Sequence, residues 1–211
     1  MVMSRHEYES RDATRLLDLA RAGDGPALGV LLERYRNYLS LLARVQIGRR
    51  MQGKLDVADL VQETFLDVHR GISQFRGGSE AQFLAWLRQI LVGILANQVR
   101  RYFGTKRRDV RLERQLQDDL ERSSSALGAE LIAAQSSPSA QASRREQAVL
   151  LADAIGELPE DYREVIILRQ LEGMSFPQVA VTMGRTEDSV KNLWARALAR
   201  LRRSLEVLDE R

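Results

Sequence analysis

The sequence is informative first through what it lacks. None of its 211 residues is cysteine, which excludes disulfide bonds, thiolate zinc sites and cysteine nucleophiles together. Only two histidines are present, so a histidine-rich metal site or histidine catalysis is not expected. No run of about 18 apolar residues could span a bilayer, and the first twelve residues lack the apolar core of a secretion signal. We therefore expect a cytoplasmic protein with no metal, no cofactor and no membrane insertion.

The residue composition favours helices. Aromatic residues are only 6% of the chain, whereas the strong helix formers Leu, Ala, Arg, Glu and Gln are plentiful. A hydrophobic content of 44% is ample for a core. Apolar residues recur at steps of three and four, and strand-like alternation of any length is absent from the sequence. The predicted fold class is all-α, with two small helical domains joined by a flexible linker.

The first predicted domain covers residues 10–104. Two helices are predicted between Ala13 and Val45, broken at the AGDGP segment that starts at residue 22. A third helix follows Asp56, a residue type that caps helix N-termini, and ends near Gly71. After a short loop over 73–80, a long helix with a wide apolar stripe is predicted from about residue 80 to residue 103.

The polar middle and the C-terminal block follow. Residues 105–143 are rich in serine and poor in apolar periodicity, which is typical of a flexible linker, although the charged first part can continue as a helix. The second predicted domain covers 144–207. There Ser175 can cap a short helix, Gly184 makes a turn, and Thr186 caps a longer basic helix. A short helix, a glycine turn and a basic helix predict a helix-turn-helix.

Basic charge is concentrated in two stretches, although the formal net charge is only +3. From residue 97 to residue 116 there are seven Arg or Lys against two acids, and from 185 to 203 there are six against two. Such stretches indicate contacts with a polyanion, although solvated helix faces have the same composition. In a helix-turn-helix the second helix enters the major groove, so its early residues reach base edges. The candidate residues of that helix are Thr186, Glu187, Ser189, Lys191, Asn192, Arg196 and Arg200.

Four segments together resemble a known family. DVADLVQETF, which starts at Asp56, is similar to region 2.2 of the sigma-70 superfamily of bacterial RNA polymerase sigma factors. FLAWLRQILVGILANQVRR, which starts at Phe83, resembles regions 2.3 and 2.4. LPEDYREVIILRQLEGMSFPQVA from Leu158 and SVKNLWARALARLRR from Ser189 resemble region 4. Region 1.1 and a folded region 3 have no counterpart, which indicates the extracytoplasmic-function (ECF) type, group 4.

The resemblance implies two partners, core RNA polymerase and promoter DNA. In the family, region 2.2 docks on the clamp helices of the polymerase β′ subunit, and region 4 sits on the β flap and reads the −35 element. The residues implied as the β′ contacts are Asp59, Gln62, Glu63 and Asp67. A solvated acidic helix face is the alternative interpretation of this stripe. Control by an anti-sigma factor, by phosphorylation of the linker or through expression alone stays open.

The resemblance also implies a −10 site in the loop after region 2.2 and on the long helix. Its candidate residues are Phe75, Arg76, Trp86, Arg88, Gln89, Asn97, Arg100 and Arg101. Phe75 and Trp86 can equally be core residues. Housekeeping sigma factors have two adjacent aromatics in region 2.3, whereas this chain has Ala85 before Trp86, which predicts weaker promoter melting.

The predicted function is a sigma factor that binds core RNA polymerase and directs promoter-specific initiation without catalysing a reaction itself. The alternative is a stand-alone helix-turn-helix regulator with an N-terminal helical sensing domain, which would leave the segments at Asp56 and Phe83 without a role. A helical enzyme is a third class, and neither a catalytic cluster nor a phosphate-binding glycine loop in the sequence supports it.

Overall fold

The computed structural model describes residues 12–50, 55–103, 110–129 and 139–209. These residues form two compact units that divide after Glu121. Both units consist of helices, and the described ranges contain no strand. The all-α fold with two helical domains, predicted from composition and periodicity, is therefore confirmed.

The N-terminal unit is built around one long helix. Its elements are α1 (Ala13–Arg21), α2 (Gly25–Arg34), α3 (Arg36–Arg50), α4 (Val57–Gly71), a 3₁₀ turn (Ile72–Gln74), α5 (Glu80–Phe103) and the first part of α6 (Val110–Ala129). Helix α4 packs against α3 and α5, and α1 packs against α2 and α5. The apolar stripe of α5, including Phe83, Leu87, Leu91 and Leu95, is fully buried at the centre.

The second predicted helix is divided into α2 and α3 at Tyr35. Tyr35 leaves helical geometry with φ −101°, and α3 restarts at Arg36. The Tyr35 ring is buried, and its hydroxyl donates a hydrogen bond to Glu80 Oε1 at 2.8 Å. Burial raises the pKa of Tyr35 well above its ordinary value, and the neighbouring Glu80 carboxylate adds to the rise. The Tyr35 hydroxyl therefore stays protonated, and its hydrogen bond to Glu80 joins the α2–α3 corner to the start of α5.

The helix caps follow the sequence closely. The Asp56 carboxylate accepts from the Ala58 backbone N–H at 2.7 Å and thereby caps α4, as predicted. In the C-terminal unit Thr186 Oγ1 accepts from the Ser189 N–H at 3.3 Å and caps the last helix, also as predicted. Gly184 has φ +62°, a left-handed conformation that glycine adopts without steric cost, so the turn between these helices forms where expected.

The C-terminal unit contains the helix-turn-helix. Its elements are α7 (Ser139–Gly156), α8 (Glu160–Ile166), a π-helical segment (Ile167–Leu171), α9 (Phe176–Met183) and α10 (Glu187–Asp209). Helix α10 packs against α7, α8 and α9. The sequence from Pro159 to Gly173 predicts one continuous helix, whereas its five residues Ile167–Leu171 are π-helical. The Arg169 side chain there donates to the Met174 carbonyl oxygen at 3.2 Å, so this turn is joined to the loop before α9.

The predicted linker contains a regular helix. Residues 105–109 and 130–138 of that linker lie outside the described residues, whereas α6 occupies 110–129 between them. Leu116 and Leu120 of α6 are each only 1% exposed. Together with the half-buried Leu112 they recur every four residues and form an apolar stripe. The charged residues between these leucines and the serines that follow them concealed this stripe in the sequence.

Candidate functional site

The first candidate surface is the polar face of α4. Asp59 and Gln62 are exposed, while Glu63 and Asp67 are partly exposed. The residues of the opposite face, Leu60, Val61, Thr64 and Val68, are buried. The amphipathic pattern of α4 thus turns all four predicted polymerase contacts away from the core.

Two of these carboxylates are positioned by neighbouring side chains. Glu63 Oε2 accepts a hydrogen bond from Gln98 Nε2 of α5 at 3.3 Å. Asp67 forms an ion pair with Arg70 one turn later, at 3.1 Å. The first interaction is partly buried, whereas the second is an exposed ion pair, a kind that contributes little to stability. Their effect is to orient acceptor oxygens that a basic partner could use.

The structure adds Leu66 to this surface. Its side chain is 50% exposed, one helical turn after Gln62, on a face that is otherwise polar. An apolar side chain surrounded by polar groups is typical of the centre of a protein interface. The helical periodicity of α4 places Leu66 outside the buried stripe, so the sequence contained this signal and our prediction missed it.

The second candidate surface begins at the loop between α4 and α5. The Phe75 ring stacks on Trp86 at 4.9 Å between centroids with an interplanar angle of 25°. It also meets the buried Phe83 ring edge-on at 5.7 Å. Phe75 and Trp86 are both partly exposed. The two aromatics for which the sequence allowed either base stacking or core packing are therefore stacked on each other.

Backbone contacts hold this loop in place. The Gly77 carbonyl oxygen accepts from Arg21 Nη1 at 3.3 Å, and the Gly78 N–H donates to Gln82 Oε1 at 2.8 Å. A Cβ atom on Gly77 would lie 2.9 Å from Gln82 Cβ and closer still to the Phe75 ring, whereas one on Gly78 would meet nothing within 4 Å. Close packing therefore requires glycine at position 77 but allows a larger residue at position 78.

Helix α5 presents the other predicted −10 residues in two groups. Gln89, Asn97 and Arg101 are exposed on α5, as Arg76 is in the loop. Arg88 is partly buried and donates to the Tyr38 hydroxyl at 3.1 Å. Arg100 is held between two partners, the Asn97 side-chain oxygen and Glu113 Oε1 of α6, the latter at 3.1 Å.

Tyr102 is an exposed aromatic that the sequence reasoning missed. It is 50% exposed directly after Arg101, near the end of α5. Aromatic rings beside arginines are typical of surfaces that stack nucleic-acid bases. Its position next to Arg101, a predicted −10 residue, was a usable signal in the sequence.

The third candidate surface is the outer face of α10. Ser189, Asn192, Arg196 and Arg200 are exposed, while Val190, Ala197 and Leu201 are buried. Lys191 Nζ lies 2.7 Å from Glu187 Oε1, and this hydrogen bond raises the pKa of Lys191. Because Glu187 and Lys191 neutralise each other locally, the positive charge of the face comes from its arginines.

A second aromatic contact orients this helix. The half-buried Trp194 meets the Phe176 ring of α9 edge-on at 6.5 Å between centroids. The Arg169 guanidinium lies over the Phe176 ring, 5.0 Å from its centroid. Trp194 therefore packs between the two helices of the motif.

Neither a metal site nor a membrane span was found in the part of the chain that the structure describes. No group of three or more His, Asp or Glu side chains there is arranged to hold a metal ion. None of the helices in the same ranges is both long and apolar enough to cross a bilayer.

These observations define a two-domain helical protein whose C-terminal unit is a helix-turn-helix with a basic outer face. Residues 33–104 match the family model for Sigma-70 region 2, and residues 148–201 match the model for Sigma-70, region 4. The chain belongs to the ECF RNA polymerase sigma factors of the sigma-70 family. It binds core RNA polymerase and promoter DNA and directs transcription initiation.

Individual relatives match along nearly the whole chain. The chain is 30% identical over 193 residues to the ECF RNA polymerase sigma-E factor of Haemophilus influenzae, covering 92% of this chain and 95% of the relative. It is 30% identical over 182 residues to the RNA polymerase sigma factor NccH of Alcaligenes xylosoxydans xylosoxydans, covering 86% and 88%. Among solved structures, the RsbN–BldN complex matches at 27% identity with a TM-score of 0.30, covering 89% of this chain and 97% of that one.

Proposed function

We propose that the two units divide promoter recognition, with the N-terminal unit reading the −10 element and the helix-turn-helix reading the −35 element. We propose 10–104 and 144–207 as the corresponding functional domains. The observation that carries the assignment is the outer face of α10, where Ser189, Asn192 and Arg196 are exposed. This is the geometry that places hydrogen-bonding side chains in a major groove and arginines beside phosphates.

The polar face of α4 is proposed as the polymerase-binding surface. Its exposed Gln62, the oriented carboxylates of Glu63 and Asp67, and the apolar Leu66 suit a basic helical partner such as the β′ clamp helices. The C-terminal unit is proposed to sit on the β flap. The chain acts in the cytoplasm on this proposal, and it supplies recognition while the polymerase supplies the chemistry.

The loop containing Phe75 and the exposed face of α5 are proposed as the −10 site. Opened DNA exposes bases that proteins bind by stacking and by amide hydrogen bonds. The stacked pair of Phe75 and Trp86 offers an aromatic platform, and Gln89 and Asn97 offer amides. The exposed Arg101 supplies positive charge for the backbone, whereas Arg100 is paired with Glu113.

Run-off transcription with purified core polymerase and a library of promoters tests this function. We expect the chain and core together to initiate at a subset of promoters that share −35 and −10 motifs, whereas core alone does not. A chain that binds a DNA site tightly without core, and that does not stimulate initiation with it, would instead be a stand-alone regulator.

Two substitutions on α10 separate base reading from phosphate binding. Asn192→Ala should relax the preference at one −35 position by about 1–3 kcal/mol, because a bidentate amide contact to a base edge is lost. Arg200→Ala, further along the same exposed helix, should weaken all promoters about equally and lower the salt dependence of binding by about one counterion. Selection on the promoter library at two salt concentrations measures both. Unchanged base preferences in the Asn192 variant would contradict the assignment.

Two neighbouring glycines test the −10 loop. Gly77→Ala should lower open-complex formation roughly tenfold, because overpacking against Phe75 and Gln82 costs about 1–3 kcal/mol. Gly78→Ala is the matched control, since its Cβ would meet nothing within 4 Å. Permanganate footprinting of the melted region measures the effect. Equal behaviour of the two variants would show that the loop conformation does not matter for melting.

A further inference from the structure

A groove of about 610 Å³ runs between α5 and α6 within the N-terminal unit. The two helices lie side by side in opposite directions, because Arg100 meets Glu113 while Ala85 shares a second small cavity with Leu120. The α5 wall contains residues already proposed for −10 binding. The α6 wall comes from the segment that composition assigned to the linker.

The groove has the side chains that single-stranded nucleic acid requires. Gln89 and Asn97 of α5 and Gln117 of α6 supply amides, which bond to base edges. Arg114 of α6 supplies a guanidinium group, which binds phosphate, whereas Arg100 is paired with Glu113, which also lines the groove. At the floor, Gly93 lacks a side chain that would fill the space. A cation beside hydrogen-bonding groups in a groove is typical of a site for a nucleic-acid strand.

Helix α6 is attached to the N-terminal unit at this groove. Leu116 and Leu120 are almost fully buried, and the ion pair between Arg100 and Glu113 is only 20% and 24% exposed. With α6 in place, Gln89 and Asn97 nevertheless stay exposed. Helix α6 therefore lies beside the proposed DNA-binding face of α5 without covering it, so it can form the other side of the groove.

We propose that α6 forms the second wall of the binding site for the unpaired −10 strand, with Arg114 contacting a phosphate and Gln117 a base. This inference rests on the proposed −10 function of α5. The inference assigns DNA contacts to a segment whose composition is typical of a flexible linker. The groove extends along α5 only from Gln89 to Arg100, so the contacts should be local to a short part of the strand.

The test uses holoenzyme assembled from core polymerase and full-length chain. The probe is a fork-junction DNA whose −10 strand is unpaired, with the sequence taken from the promoter selection described above. Arg114→Ala should weaken binding about tenfold, because a charge-assisted hydrogen bond is lost. Its slope of log affinity against log salt should fall by about 0.7, the value for one single-strand phosphate contact. Gln117→Ala should weaken binding without changing that slope.

Arg111→Ala is the matched control, since it removes the same charge from an exposed position of α6 that does not line the groove. Core binding and circular dichroism should be unchanged in all three variants. Equal affinity of the Arg114 and Arg111 variants would overturn the inference, and so would tighter binding by the Arg114 variant, which would mean that α6 obstructs the site. If unaltered holoenzyme did not initiate at any promoter, the proposed function would fail and this inference with it. Run-off transcription by unaltered holoenzyme, done first, distinguishes these two failures.

Discussion

Replacing Gln62 and Glu63 together by alanine is expected to weaken binding to core polymerase roughly a hundred- to a thousandfold. Gln62 is exposed and Glu63 is oriented by Gln98, so both can bond to a partner without rearrangement. Hot-spot residues at the centre of an interface each cost about 2 kcal/mol or more when truncated, in part because their desolvated partners are left unpaired. The nearby apolar Leu66 would exclude water around these contacts and strengthen them.

Fluorescence anisotropy of the labelled chain, titrated with core, measures this loss. The control is Gln115→Ala with Asp118→Ala, which likewise removes one amide and one carboxylate from exposed positions of a helix in the N-terminal unit. The control should bind core like the unaltered chain. Leu66→Ala alone should give an intermediate loss. Tight binding by the Gln62 and Glu63 double variant would show that the polar face of α4 is merely solvated.

Phe83→Ala is expected to destabilise the N-terminal unit by about 3–5 kcal/mol, the cost of truncating a buried aromatic in a core. Phe83 is completely buried. Its ring meets those of Tyr35, Phe75 and Trp86 at 5.8, 5.7 and 5.9 Å between centroids. A cavity at this point would remove support from the α2–α3 corner and the −10 loop together.

The two tryptophans of the chain allow each unit to be followed separately. In a Trp194→Phe background, Trp86 fluorescence reports urea unfolding of the N-terminal unit, and in a Trp86→Phe background Trp194 reports the C-terminal unit. Phe83→Ala should lower the urea midpoint only in the first background. Phe83→Leu should cost less, because it leaves a smaller cavity. A loss below about 1 kcal/mol, or equal losses in both units, would contradict the central role of this ring.

Local sequence signals predicted the helices and their caps well, because these depend on residues close together in the chain. Asp56 and Thr186 cap their helices where expected, and Gly184 forms the predicted turn. Periodicity also identified the outer faces of α4 and α10, since the buried stripe of a helix determines which residues face outward. The resemblance selected the polymerase-binding candidates, and the helical pattern placed both these and the −35 candidates on the surface.

The break at Tyr35 and the π-helical turn at the end of α8 did not follow from local pattern. Tyr35 bonds to Glu80, which is 45 residues away, and Ile167, Leu168 and Leu171 of the π-helical turn are buried in the C-terminal unit. Interactions of this kind outweigh weak local helix propensity once the chain is packed. Helix α6 is a related case, because its leucine stripe is stable only when a neighbouring surface buries it.

The sequence by itself determined the all-α class, the family, the helix-turn-helix and which side chains of α4 and α10 face outward, because each depends on periodicity and short-range chemistry. Only the tertiary structure decided that Phe75 and Trp86 stack on each other, that Gly77 and not Gly78 is closely packed, and that α6 lies along α5. These features join residues far apart in the chain, and the free energy that selects them comes from burial, which no local pattern contains.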